Sequence, residues 1–132
     1  MKQTLITIGA IILVGLGLYI WSQPAPAPTQ TIKIGVIAPL TDAFAQYGEE
    51  VRKGIFAAAG SSSVEFIFED EKCDSKTAVS AFQKLTSVDG VKFIIGPGCG
   101  SPQEAVVPLL QKAGVVMLVP SAASKDLHQK SG

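Results

Sequence analysis

The stretch "IIGPGCGSPQEA", residues 94–105, passes from an apolar run to a polar one through three glycines, a proline and a cysteine. Phe93, Ile94 and Ile95 end a run that halts at Gly96, Pro97 and Gly98. Ser101 and Glu104 have the spacing of a capping box, with Pro102 at the first helical position. Taken alone, the stretch fits a phosphate cradle, a nucleophile on a sharp turn, half of a disulfide, or an ordinary strand-to-helix turn.

The flanking sequence alternates. "TIKIGVIAPL" (31–40) is β-branched and apolar enough for a buried strand, and residues 45–59 suit a helix before the "GSSS" loop. "VEFIFED" (64–70) reads as a strand with one drier face. Asp74 can cap a helix over 75–87, whose Ala78, Val79, Phe82 and Leu85 share a face. "VKFIIG" (91–96) predicts a third strand, and a helix follows from Pro102 to about Lys112, kinked or loosened by Pro108. Gly114 closes that helix, "VVMLVP" (115–120) is a fourth strand, and a short helix is expected from Ser124.

This β-α-β-α-β-α-β order, with runs too apolar for one-sided strands, predicts an α/β fold: a doubly wound parallel sheet with helices on both faces. Ligands of such sheets bind beyond the carboxyl ends of the strands, where the strand order reverses. An order of 2-1-3-4 brings "LTDAFAQYG" and "GPGCGSPQE" together there, with "VPSAAS" as the next wall.

A dinucleotide fingerprint needs glycine where Ser101 stands, and no Gly-Lys-Ser or Gly-Lys-Thr follows for a P-loop. A cysteine nucleophile needs a base, and the one histidine, His128, lies in a polar tail. The carboxylates of "FEDEKCD" (68–74) are expected to be a solvated strand end, and no spacing supports a metal. What remains at Gly100 and Ser101 is either backbone N–H groups open to a carboxylate or phosphate, or a plain capped turn.

Residues 5–21, "LITIGAIILVGLGLYIW", carry no charge and follow Lys2, which predicts an N-terminal transmembrane or signal helix with the remainder exported. A retained anchor over 1–22 is favoured over a cleaved signal, because candidate cuts after Ala25 or Ala27 face proline. The Pro-Ala run within 23–30 is a polyproline II linker, and the folded domain occupies 31–132. That domain has ten Lys or Arg against eleven Asp or Glu without basic clusters, which gives no case for nucleic acid. In an exported chain Cys73 and Cys99 read first as a disulfide at one sheet edge, with two separate buried thiols as the alternative.

From Ile32 to Leu127 the chain resembles the amino-terminal lobe of the leucine/isoleucine/valine-type periplasmic binding proteins, solute receptors of branched-chain amino acid ABC transporters. The segments "IKIGVIAPLTDAFAQYG", "EDEKCDSKTAVSAFQKL", "GVKFIIGPGCGSPQEAVVPLLQKAGVVML" and "PSAASKDL" carry the resemblance, in family order. It implies the type 1 periplasmic-binding fold, a two-lobed clamp on a free amino acid (branched-chain or similar), an ABC permease as membrane partner, no cofactor and no enzymatic activity. Carried onto this sequence, Gly100 and Ser101 hold the ligand carboxylate, Ser121, Ala122 and Ala123 form the loop toward the α-amino group, and Tyr47 borders the side-chain pocket. Gly100 and Ala123 replace a serine and a threonine of the family pattern, each lost hydroxyl costing about 1 kcal/mol or more of recognition.

The chain is also shorter than the family between Gly48 and Cys73, and it stops at Gly132 before the second lobe. The expectation is therefore a fragment, a truncated product, or half of a site completed elsewhere. A membrane-tethered sensing or interaction domain on the same fold, without transport, is the alternative function.

Overall fold

The structure, a computed structural model, describes residues 15–19, 21–22, 31–60 and 63–120. The chain forms two compact units, Met1–Gln30 and Thr31–Gly132. In the first, residues 15–19 are helical, and Leu16, Leu18, Tyr19 and Trp21 are exposed. Most of the apolar stretch 5–21, the Pro-Ala linker and the helix expected from Ser124 lie outside the described residues. Among the described residues no helix is long and apolar enough to cross a membrane.

The second unit is built on a four-stranded parallel sheet in the order β2-β1-β3-β4, the order that brings the loops after β1 and β3 to one edge. The strands are β1 (Ile32–Ala38), β2 (Val64–Asp70), β3 (Phe93–Ile95) and β4 (Val116–Leu118). β1 runs in register with β2 along its whole length, Ile32 opposite Val64 and Ala38 opposite Asp70. β3 pairs with β1 through Ile34–Phe93 and with β4 through Phe93–Val116. β3 and β4 are shorter than the runs 91–96 and 115–120, since Val91 and Val115 are buried as core residues just outside the ladders.

Helices α1 (Ala45–Ala59) and α2 (Ser75–Ser87) begin and end where periodicity places them. Asp74 caps α2, its Oδ1 accepting from the Thr77 N–H at 2.8 Å. The buried face of α2 is Ala78, Ala81, Phe82 and Leu85, with Val79 half-buried at its flank. The i, i+3, i+4, i+7 stripe thus runs through Ala81 instead of Val79. With Ile37, Ile94 and Val106 it forms the main core on one side of the sheet.

The third helical segment is broken. α3 (Gly100–Val106) gives way to a 3-10 turn at Val107–Leu109, then to α4 (Leu110–Ala113). Pro108 has no N–H for the α-helical ladder, and the tighter turn sits where that bond is missing.

The opposite face is covered unevenly. α1 lies over β1 and β2, where Phe56 meets Phe66 and Phe68 at centroid distances of 6.1 and 5.8 Å. The Arg52 guanidinium stacks 4.5 Å above the Phe68 ring. Beyond α1, Phe93, Val116 and Leu118 are exposed, and a groove of about 500 Å³ runs between Val51, Ile55, Ala58, Ile95 and Leu118. Helical cover of both faces holds for β1 and β2; over β3 and β4 one face is open among the described residues.

Gly48 is the one buried residue of α1, because a Cβ there would lie 2.0 Å from the Pro39 carbonyl oxygen. A Cβ on Gly54, in the same helix, would meet nothing within 4 Å. Gly48→Ala is expected to destabilise the domain by about 2 kcal/mol or more. Gly54→Ala should stabilise it by roughly 0.5–1 kcal/mol. Urea unfolding of the two variants checks this opposition of sign.

Candidate ligand site

Three loops leave the carboxyl edge of the sheet, and two carboxylates bind them together. Asp70, the last residue of β2, reaches to the loop after β1: Oδ1 accepts from the Leu40 N–H at 2.8 Å, and Oδ2 accepts from the Thr41 hydroxyl. Oδ1 also accepts from the Lys72 N–H at 3.1 Å. Burial pushes the Asp70 carboxyl up, but the Thr41, Leu40 and Lys72 donors together outweigh it and hold the group below its ordinary value.

Glu71 reaches the loop after β3. Its Oε1 accepts from the Gly98 N–H at 2.8 Å and the Cys99 N–H at 3.0 Å, and the side chain is 0% exposed. Oε2 is buried with no hydrogen-bond partner among the described residues. Burial pushes this carboxyl up to about 7 against the pull of the Cys99 and Gly98 N–H groups, and the Asp70 charge adds to the rise.

Lys72 and Cys73, each with φ near 51°, turn the chain through the left-handed region immediately after Glu71. This turn brings Cys73 to Cys99, and the two form a disulfide with Cα atoms 5.3 Å apart. The solvated strand end expected for "FEDEKCD" is therefore corrected at Glu71, which is buried; Asp70 is half-buried, and Lys72 and Asp74 are exposed. Sequence carried no cue for this, because the Leu40 amide that Asp70 accepts from and the Gly98 and Cys99 amides that Glu71 accepts from lie 27–30 residues away. Glu71, Cys73 and Cys99 have ligand atoms within 4.8 Å of one another, but the two sulfurs are bonded to each other, so the trio does not present thiolates to a metal.

The β3–α3 loop is held from below as well. Gln103, 0% exposed, donates from Nε2 to the Pro97 carbonyl at 3.0 Å. Gly96 has φ 103°, and a Cβ on it would lie 1.9 Å from the Ile37 carbonyl oxygen, so only glycine fits where the loop leaves β3. A Cβ on Gly98 would press on Tyr47 Cε1 at 2.9 Å, Pro39 Cδ at 3.0 Å and Glu71 Oε1 at 3.2 Å.

The expected capping box does not form. Cys99 is the N-cap, α3 opens on Gly100, and no side chain caps it. Pro102 is then the third helical residue and is buried.

Of the residues assigned to a ligand from sequence, the structure brings Tyr47, Gly100 and Ser101 to one edge. Tyr47 lies against Gly98, two residues before Gly100, and all three are exposed. A Cβ on Gly100 would meet nothing within 4 Å, so no packing inside the described domain requires glycine there. Ser121, Ala122 and Ala123 lie outside the described residues. The first-turn amides of Gly100 and Ser101 have no acceptor within α3 and can donate to an anionic group.

Residues 31–131 match the family model described as periplasmic binding protein. The chain is 33% identical over 109 residues to the leucine-, isoleucine-, valine-, threonine-, and alanine-binding protein of Pseudomonas aeruginosa, covering 76% of this chain and 29% of that one. A Rhodopseudomonas palustris ABC-transporter solute binding protein in complex with 4-hydroxybenzoate superimposes with a TM-score of 0.72 at 32% identity, over 77% of this chain and 30% of the other. The branched-chain amino acid transporter substrate binding protein of Streptococcus pneumoniae, in complex with isoleucine, gives 0.68 at 29%, over 77% and 32%. The chain thus spans under a third of the length of these relatives.

Two measurements check the edge. Cys73→Ser with Cys99→Ser opens a 26-residue loop and should cost about 3 kcal/mol, read as a lower urea midpoint matched by reducing the parent chain. Glu71 holds its proton to about pH 7 in the fold and releases it near 4.5 when unfolded. The folded state binds the extra proton across that window, so stability falls as pH rises through it, by about 3 kcal/mol from this group. Glu71→Gln should flatten that slope, which urea midpoints at either end of the window report.

Proposed function

Because the chain belongs to the periplasmic binding protein family, we propose that it supplies first-lobe elements of an extracytoplasmic substrate-binding protein serving an ABC transporter. The observation that supports this most is the meeting of Tyr47 with the Gly98–Ser101 loop at the switch point between β1 and β3, where an open parallel sheet takes its ligand.

The ligand is a branched-chain or related amino acid. Its carboxylate accepts from the Gly100 and Ser101 amides and from the Ser101 hydroxyl, and Tyr47 borders its side chain. Ser121, Ala122 and Ala123 belong to the wall that receives the amino group, where Ala123 offers no hydroxyl. The similarity to a protein that holds 4-hydroxybenzoate makes an aromatic acid the competing ligand, since such an acid needs the carboxylate contacts and no ammonium contacts.

Export by the apolar segment 5–21, retention by the same segment, and delivery to an ABC permease complete the reading. A clamp of this kind desolvates its ligand between two lobes, so these elements alone give weak affinity. Titration of the chain with L-leucine should give a Kd above about 1 mM, with amide shifts confined to Tyr47, Gly100, Ser101 and their neighbours. Micromolar binding would overturn the half-clamp reading, and shifts that avoid these residues would overturn the site.

A further inference from the structure

Within the edge just described, the loop's attachment to β2 is double, and its two parts do different work. The disulfide ties Cys99 to Cys73 but leaves the amides of the turn free to rotate. Glu71 fixes them: one buried carboxylate oxygen accepts from two successive N–H groups, at 2.8 and 3.0 Å, which sets the plane of both peptides. A carboxyl group with no exposure is costly to keep in a domain core, and apolar packing at this position would remove the acceptor that the Gly98 and Cys99 amides share.

We propose that Glu71 is a positioning residue for the ligand loop, its carboxylate fastening the Gly98–Cys99 turn so that Gly100 and Ser101 stay exposed at the sheet edge. The role in ligand binding rests on the function proposed above; the fastening itself does not.

The surroundings make the fastening depend on a proton. Asp70 on β2 is the charged neighbour acting on Glu71, and it disfavours a second negative charge. Tyr47 of α1 stands across Gly98, and the two sulfurs from the flanking loops are bonded and do not titrate. Gln103 of α3, on the Pro97 carbonyl, is neutral. An ionised Glu71 grips the two amides more strongly than the protonated acid, because a hydrogen bond to a charged acceptor is about twice as strong as a neutral one. Each of the two hydrogen bonds is therefore stronger as pH rises through about 7, while the buried charge lowers the stability of the fold that holds it.

The test follows the amide protons of Gly98 and Cys99 in the ¹⁵N-labelled chain across the neutral range, without ligand. Both should move downfield together with a shared inflection near 7, and Glu71→Gln, which keeps a neutral carbonyl at the same reach, should abolish it. Independent or flat titrations in the folded parent chain overturn the fastening, and that result needs no variant to fold.

A second arm adds L-leucine and, separately, 4-hydroxybenzoate. Affinity read at Gly100 and Ser101 should fall about tenfold in Glu71→Gln at alkaline pH, where the parent is ionised. Equal affinity in both chains overturns the positioning role and leaves the ligand site intact. No shift at Gly100 or Ser101 with either probe sinks the ligand site and the positioning role with it, while the ligand-free titration still reports on the fastening.

Discussion

A single buried oxygen, Glu71 Oε1, holds the two amides that begin the helix-forming loop after β3, and the carboxyl edge of this sheet is organised around it. Hydrophobic burial between α2, α3 and the sheet is non-directional. It can press the layers together, but it cannot orient a glycine-rich turn. Orientation at the edge comes from directed bonds: Asp70 to the Leu40 amide, Glu71 to Gly98 and Cys99, Gln103 to the Pro97 carbonyl, and the Cys73–Cys99 bridge. The polar groups of one loop are thereby satisfied by side chains from its neighbours. Three loops distant in sequence become one surface.

The disulfide and the carboxylates are complementary in kind. The bridge fixes how far the two loops can separate and acts through the unfolded chain as well as the folded one. The carboxylates fix direction and act only in the fold. Tyr47 joins the surface through sterics instead, its ring filling the space that any side chain at position 98 would need.

Most of the scaffold was legible because it repeats a simple period. Strand β2 and helices α1 and α2 begin and end where the alternation of apolar residues, the Asp74 cap and the glycines put them. The parallel pattern alone leaves the order of the strands open, and the pairing of β1 with both β2 and β3 supplies it. Ser101–Glu104 shows the limit of a local motif: the capping box has the right residues, but the amides at Gly98 and Cys99 already belong to Glu71, and the chain turns helical at Gly100. From sequence, Glu71 itself reads as solvated, because an acid in "FEDEKCD" resembles any charged strand end. Its burial depends on a loop that arrives 27 residues later, and no local pattern records that.

Helix α1 brings Tyr47 to the edge while burying only Gly48, its other contacts being a stack of rings and the margin of an open groove. The β3–α3 loop, by contrast, is anchored in the deepest part of the domain. The two walls of the edge therefore belong to regions of unequal local stability: one opens with the free energy of a lightly packed helix, the other only with the core. A molecule lying between them would touch a fixed wall and a yielding one, so ordering α1 becomes part of the free-energy cost of holding it.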